Sequence, residues 1–153
     1  MDRETDLKGE REVRDGGGAL SEEQLERLAR YFDEEVTFSR HIGAKVEGVE
    51  PGRSVISIDV EELHLNGAGT LHGGVYASLI DTAMGLSVLA LVGVRTATIQ
   101  MNVHFLGAVN EGLITCESEV VRRTRHGRGE GPRRGGQSRR HRYRPVPRFR
   151  AEG

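Results

Sequence analysis

Tryptophan is absent, aromatic side chains make up 5% of the chain, and cysteine occurs once, as Cys116. One cysteine excludes an internal disulfide and suits a reducing compartment, so a cytoplasmic location is expected. No apolar run follows Met1, which argues against a secretory signal. No pair of Cys or His residues stands at ligand spacing, so neither a metal nor another cofactor is expected. With 153 residues the chain can build one core but not two comfortable ones. One apolar run, residues 71–92, is about long enough to span a bilayer. It carries Asp81 near its middle and His72 at one end, and the flanking segments alternate like strands. A buried helix in a soluble domain, with no membrane partner, is the better reading.

The net charge of −1 hides a strong asymmetry. Residues 1–121 hold 10 Lys and Arg against 21 Asp and Glu, whereas residues 122–153 hold 12 Arg against 2 Glu. Residues 1–20 are charged, contain Gly16-Gly17-Gly18 and offer almost no large apolar side chain, so a disordered leader is expected there. Ser21 followed by Gln24 resembles a capping box, and Leu25, Leu28, Phe32 and Val36 recur at helical spacing, predicting a helix over residues 22–35.

The period then changes to two. Ile42, Ala44 and Val46 alternate with polar or small residues, Pro51-Gly52 marks a turn, and Ile56, Ile58 and Val60 alternate in the same way. These runs predict an antiparallel hairpin with one face buried. A polar loop, residues 62–70, leads into the long apolar helix, which should end at Gly93. Ala97, Ile99, Met101, Val103 and Phe105 share one face of the next alternating run, and Ile114, Cys116 and Val120 one face of the last. Cys116 and His104 read as ordinary strand residues. A helix apolar nearly all round must be covered on most sides, and a curved antiparallel sheet can do this. The expected class is therefore α+β.

Asn66-Gly67-Ala68-Gly69-Thr70-Leu71-His72-Gly73-Gly74 runs straight into that helix. Burying the Asp81 carboxylate is costly unless it has partners or a task, and residues 60–94 contain no Lys or Arg to pair with it. Unpaired N–H groups at a helix start can hold a developing oxyanion, with Asn66 and His72 adding polar groups nearby. This combination points to chemistry on an acyl group. Ser78 lacks a Gly-x-Ser-x-Gly setting, so a serine hydrolase is disfavoured. Each residue also has a plainer role: His72 as a helix cap, Asn66 as a turn former, Thr98 as an ordinary strand residue, and Gly73-Gly74 as close-packing glycines.

The pattern Asn66-x-x-Gly69-Thr70-x-His72-Gly73-Gly74, with Asp81 nine residues after the histidine, resembles the hotdog-fold acyl-CoA thioesterases of the phenylacetate-pathway (PaaI-like) group. Residues 96–106 also match the strand that follows the helix in that family. The resemblance covers residues 36–123 and implies a hotdog fold, an antiparallel sheet wrapped around a long central helix, with a thioesterase domain over residues 21–123. It implies that Asp81 is the base or nucleophile for thioester cleavage and that the Gly73 N–H polarises the carbonyl. Asn66 and His72 would orient the reacting groups, and Thr98 would help hold the water. Gly74, Arg122 and Arg123 are candidates for contacting acyl-CoA, the expected substrate. The alternatives are an acyl-CoA-binding protein without hydrolysis and a nucleic-acid binder using the arginine-rich tail. The tail has only Tyr143 and Phe149 for base stacking, which disfavours nucleic acid.

Helix geometry adds a constraint of its own. Eight residues at about 1.5 Å each separate Gly73 from Asp81 by roughly 12 Å along the axis. An oxyanion donor and a base must both come within about 3 Å of the reacting group. One helix cannot meet that condition, but two antiparallel helices from two subunits can. A homodimer or homotetramer sharing its site across a two-fold axis is expected.

Residues 124–153 fit the pattern poorly. Arg, Gly and Pro dominate, and the two closing strands that the resemblance requires are expected to be missing or altered. A shifted reading frame would explain this composition. Residues 140–144, back-translated and read one base later, can encode Val-Thr-Gly-Thr-Gly, a run that reads as strand.

Overall fold

The computed structural model describes residues 18–125 and 141–152, with side chains over residues 18–121. The leader expected over residues 1–20 therefore lies almost wholly outside the described residues. Its last member does not behave as a leader: Leu20 is buried and its N–H donates to Ala90 O at 2.9 Å.

Helix α1 spans Glu22–Glu34 and opens on the expected capping box, with Ser21 Oγ accepting from Gln24 N–H and Gln24 Oε1 accepting from Ser21 N–H. A short helix, α2, follows at Thr37–His41. Ile42 is its C-cap rather than the first residue of a strand, because the N–H groups of Ile42 and Gly43 still donate back to the carbonyls of Phe38 and Arg40. Strand β1 is Lys45–Glu50 and β2 is Arg53–Asp59, joined at Pro51-Gly52 as an antiparallel hairpin. Gly52 has φ +88°, which favours glycine, and its N–H donates to Ser87 O at 3.2 Å, tying the turn to the long helix.

That helix, α3, spans Gly73–Val92 and ends at Gly93, whose φ of +64° supplies the left-handed cap. Strands β3 (Leu113–Arg125) and β4 (His141–Glu152) complete an antiparallel sheet of order β1-β2-β3-β4 among the described residues. Ile56, Ile58, Ile114 and Cys116 of the sheet pack with Leu79, Ile80, Ala83 and Leu86 of α3 as one core. By length and composition α3 could cross a membrane, yet it supplies the centre of this core. Ser54 Oγ donates to Ala83 O, and Ser87 and Ser118 share a hydroxyl–hydroxyl bond, so the buried hydroxyls between sheet and helix are partnered. Leu79 has no exposed surface. Leu79→Ala should cost about 3 kcal/mol of stability through lost burial and the cavity left behind. Denaturant unfolding checks this, and a loss under about 1 kcal/mol would show that the core is packed elsewhere.

Three expectations change. α3 is covered over most of its length, with Gly74 and Asp81 its exposed residues, so Asp81 is exposed in this chain instead of buried. Residues 95–110 form no strand, although Met101 and Val103 keep the expected alternation and pack against the core. Ile99 and Leu106 are 86% and 96% exposed. The tail, by contrast, does supply a strand, since 141–152 pair with β3 from Leu113↔Glu152 to Arg125↔His141. The sequence permits it because Arg142, Arg144, Arg148 and Arg150 fall at alternate positions, with Tyr143 and Phe149 between. Pro145 and Pro147, two residues apart, remove two donors from the same edge of β4. That gap suits a strand at the end of the sheet order.

Candidate active site

Four N–H groups at the start of a helix have no partner within it and must be satisfied some other way. In α3 they are allotted unequally. His72 is the N-cap: its Nδ1 accepts from Gly74 N–H at 2.9 Å, and its carbonyl accepts from Val75 N–H and Tyr76 N–H. The N–H of Gly73 alone among the four has no hydrogen-bond partner among the described residues. It is left to face whatever approaches the turn. With Nδ1 accepting, the neutral His72 ring carries its proton on Nε2, and the side chain is exposed.

Gly74 is required by this cap. A Cβ placed there would lie 2.9 Å from His72 Nδ1, closer than real contacts allow. Gly74→Ala should therefore displace the His72 ring and lower stability by about 1 kcal/mol through the lost cap. A melting curve and the His72 ring resonances by NMR check this together; an unmoved ring would refute the steric argument. The Gly74 N–H, a candidate substrate contact, is already engaged.

Asn66 is held by its own loop. Its Oδ1 accepts from Ala68 N–H at 2.8 Å and Thr70 N–H at 3.3 Å, and its Nδ2 donates to Thr70 Oγ1 at 2.9 Å. Below this loop His64 is 2% exposed, and its carbonyl accepts from His72 N–H at 2.8 Å. Its Nδ1 accepts from Glu61 N–H at 2.9 Å, which fixes the short 3₁₀ turn Glu62–His64 beneath the site.

Two turns into α3, Asp81 Oδ1 accepts a 2.5 Å hydrogen bond from Thr98 Oγ1. Thr98 thus meets the acid although its segment is not a strand. Oδ2 stays available to solvent. The structure therefore brings Asp81 and Thr98 together, leaves His72 and Gly73 adjacent at the helix start, and ties Asn66 to Ala68 and Thr70 within its own loop. Arg122 and Arg123 belong to β3, where their backbones pair with Arg144 and Tyr143. Their side chains lie outside the described residues. Ser78 Oγ donates to the Gly74 carbonyl, a local helix bond. Tyr76 and Phe105 stand beside Gly73 and were not anticipated; Phe105 reads from sequence as one member of an alternating face, and only the meeting of the two rings in space distinguishes them.

A family model described as the thioesterase superfamily matches residues 68–127, from the glycine-rich loop through α3 into β3 and just beyond it. The structure of thioesterase superfamily member 2 from zebra fish superposes with a TM-score of 0.59 at 26% identity, covering 72% of this chain and 80% of that one. This is the hotdog fold, shared with that thioesterase structure. Human acyl-coenzyme A thioesterase 13 is 27% identical over 92 residues, 59% of this chain and 66% of that protein. A Halobacterium salinarum relative is 36% identical over 102 residues, 62% of this chain and again 66% of the relative. The hotdog assignment also explains why a long helix lies against an antiparallel sheet.

Proposed function

We propose that this protein is an acyl-CoA thioesterase, converting a thioester and water to a carboxylic acid and free coenzyme A. The observation that carries the reading is the unbonded Gly73 N–H on the helix that also presents Asp81, held by Thr98. Those are the two things thioester hydrolysis needs: a fixed dipole where the oxyanion develops and a carboxylate to handle water.

The reaction follows from these parts. Asp81 takes a proton from a water molecule, and the oxygen attacks the thioester carbon. The carbonyl oxygen gains negative charge and is held by the Gly73 N–H. Collapse breaks the C–S bond, and the departing thiolate takes up a proton. Thr98, bonded to Oδ1, turns Oδ2 toward the water. In the nucleophilic variant Asp81 attacks directly and forms a mixed anhydride that water then opens. Single turnover in ¹⁸O-water separates the two, because label enters Asp81 only by the second route. No metal is required in either.

Since Gly73 and Asp81 are roughly 12 Å apart along one axis, each reacting group sits between Gly73 of one protomer and Asp81 of another, in a dimer or higher even assembly. The relationship to human acyl-coenzyme A thioesterase 13 supports coenzyme A as the thiol carrier. Thiol release from an acyl-CoA panel by the purified chain, with Asp81→Ala as control, tests the proposal. Binding of acyl-CoA without thiol release would make the protein a carrier or sensor instead.

A further inference from the structure

The aromatic pair beside Gly73 has no part in the steps above. A Cβ placed on Gly73 would lie 3.4 Å from Phe105 Cζ, 3.6 Å from Cε2 and 3.8 Å from Cε1, so the far edge of the ring rests over this residue. Behind it the Tyr76 ring stands with centroids 5.8 Å apart and planes at 52°, a tilted aromatic contact that steadies both rings. The chain has four Phe, three Tyr and no Trp, yet two of these rings meet at the turn that carries the free N–H. Phe105 is 56% exposed, so its ring contributes little to the core and faces outward beside the site.

We infer that Phe105, backed by Tyr76, is a specificity-determining wall that admits acyl groups unbranched at the carbon next to the thioester carbonyl. The inference rests on the thioesterase reading. An oxygen accepting from Gly73 N–H lies about 3 Å from that nitrogen, which brings the carbonyl carbon and its neighbour up to the ring edge. A CH₂ at that neighbouring carbon passes a flat ring edge, whereas a quaternary carbon carries two further methyl groups into it. Steric selection of this kind discriminates by about 10- to 200-fold per methyl or methylene.

The test compares hexanoyl-CoA with pivaloyl-CoA, whose neighbouring carbon is quaternary, using wild type, Phe105→Leu and Phe105→Ala. The expected result is a kcat/KM ratio favouring hexanoyl-CoA that falls by about tenfold or more in Phe105→Ala and by less in Phe105→Leu. Melting temperatures should stay close to wild type, because the ring is largely exposed. An unchanged ratio, or an equal loss on both substrates, overturns the inference while leaving the thioesterase reading intact. Loss of fold in both variants makes Phe105 structural and overturns it too. A wild-type chain that hydrolyses neither compound removes the thioesterase reading and this inference together.

Discussion

Asp81→Asn should lower kcat by about a thousandfold while leaving the melting temperature nearly unchanged. Asparagine has the same shape and still offers an oxygen to Thr98 Oγ1, so the contact at 2.5 Å has a neutral counterpart. It cannot take a proton from water, and a positioned general base contributes about 10²- to 10⁴-fold. Asp81 is exposed in the chain, so replacing it removes no buried charge and opens no cavity. A thousandfold loss without loss of stability is the signature of a group used in the reaction rather than in folding. Thiol release and thermal melting, measured on one preparation, check both halves. Activity within tenfold of wild type would remove Asp81 from the chemistry.

The second large effect is recovery of activity by mixing. Asp81→Asn chains keep an intact Asn66–Gly73 loop, and Asn66→Ala chains keep the acid but lose the side chain that holds Ala68 and Thr70. Each variant alone should be nearly inactive. Half of the dimers in an equal, freely exchanging mixture are mixed, and each contains one site with both parts sound, so about a quarter of wild-type activity should return. No recovery despite subunit exchange would confine the site to one chain. The arrangement has a geometric corollary that does not depend on turnover. If Gly73 of one α3 lies beside Asp81 of an antiparallel partner helix, Ala77 lies midway and faces its own copy. Gly73, Ala77 and Asp81 fall within about 80° of one another around the helix, at 100° per residue. Ala77→Cys should therefore form a disulfide-linked dimer under mild oxidation. Cys116 will not compete, because burial and then the charge of Glu117 push its thiol up to about 12.

Much of the chain could be read directly where the signal is local. Ser21 and Gln24 fixed the start of α1, Pro51-Gly52 the hairpin turn, and Gly93 the end of α3, whose start at Gly73 falls two residues after the Leu71 at which the apolar run begins. Each depends on the chemistry of a few neighbouring residues: a hydroxyl that accepts from a free N–H, a ring that presets φ, a glycine that tolerates positive φ. The pairing of residues 95–110 and 141–152 was misread for the complementary reason. Alternation at Ile99, Met101 and Val103 says that a segment has two faces, but not which strand it borders. In 141–152 the density of arginine and proline obscured an alternation that the ladder on β3 uses. The aromatic contact between Tyr76 and Phe105, 29 residues apart in sequence, carried no sequence signal at all.

The sequence by itself determined the class of the domain, the position of the glycine-rich turn before an apolar helix, and Asp81 as the one acid within that helix. These follow from period, caps and residue chemistry, which act over a few residues. Only the tertiary structure decided that Asp81 stays exposed on an otherwise covered helix, that Thr98 reaches the acid, and that His72 takes the Gly74 N–H while the Gly73 N–H stays free among the described residues. The physical reason is that hydrogen bonds are allotted among groups brought together by folding. Which donor is left over depends on where each acceptor comes to rest.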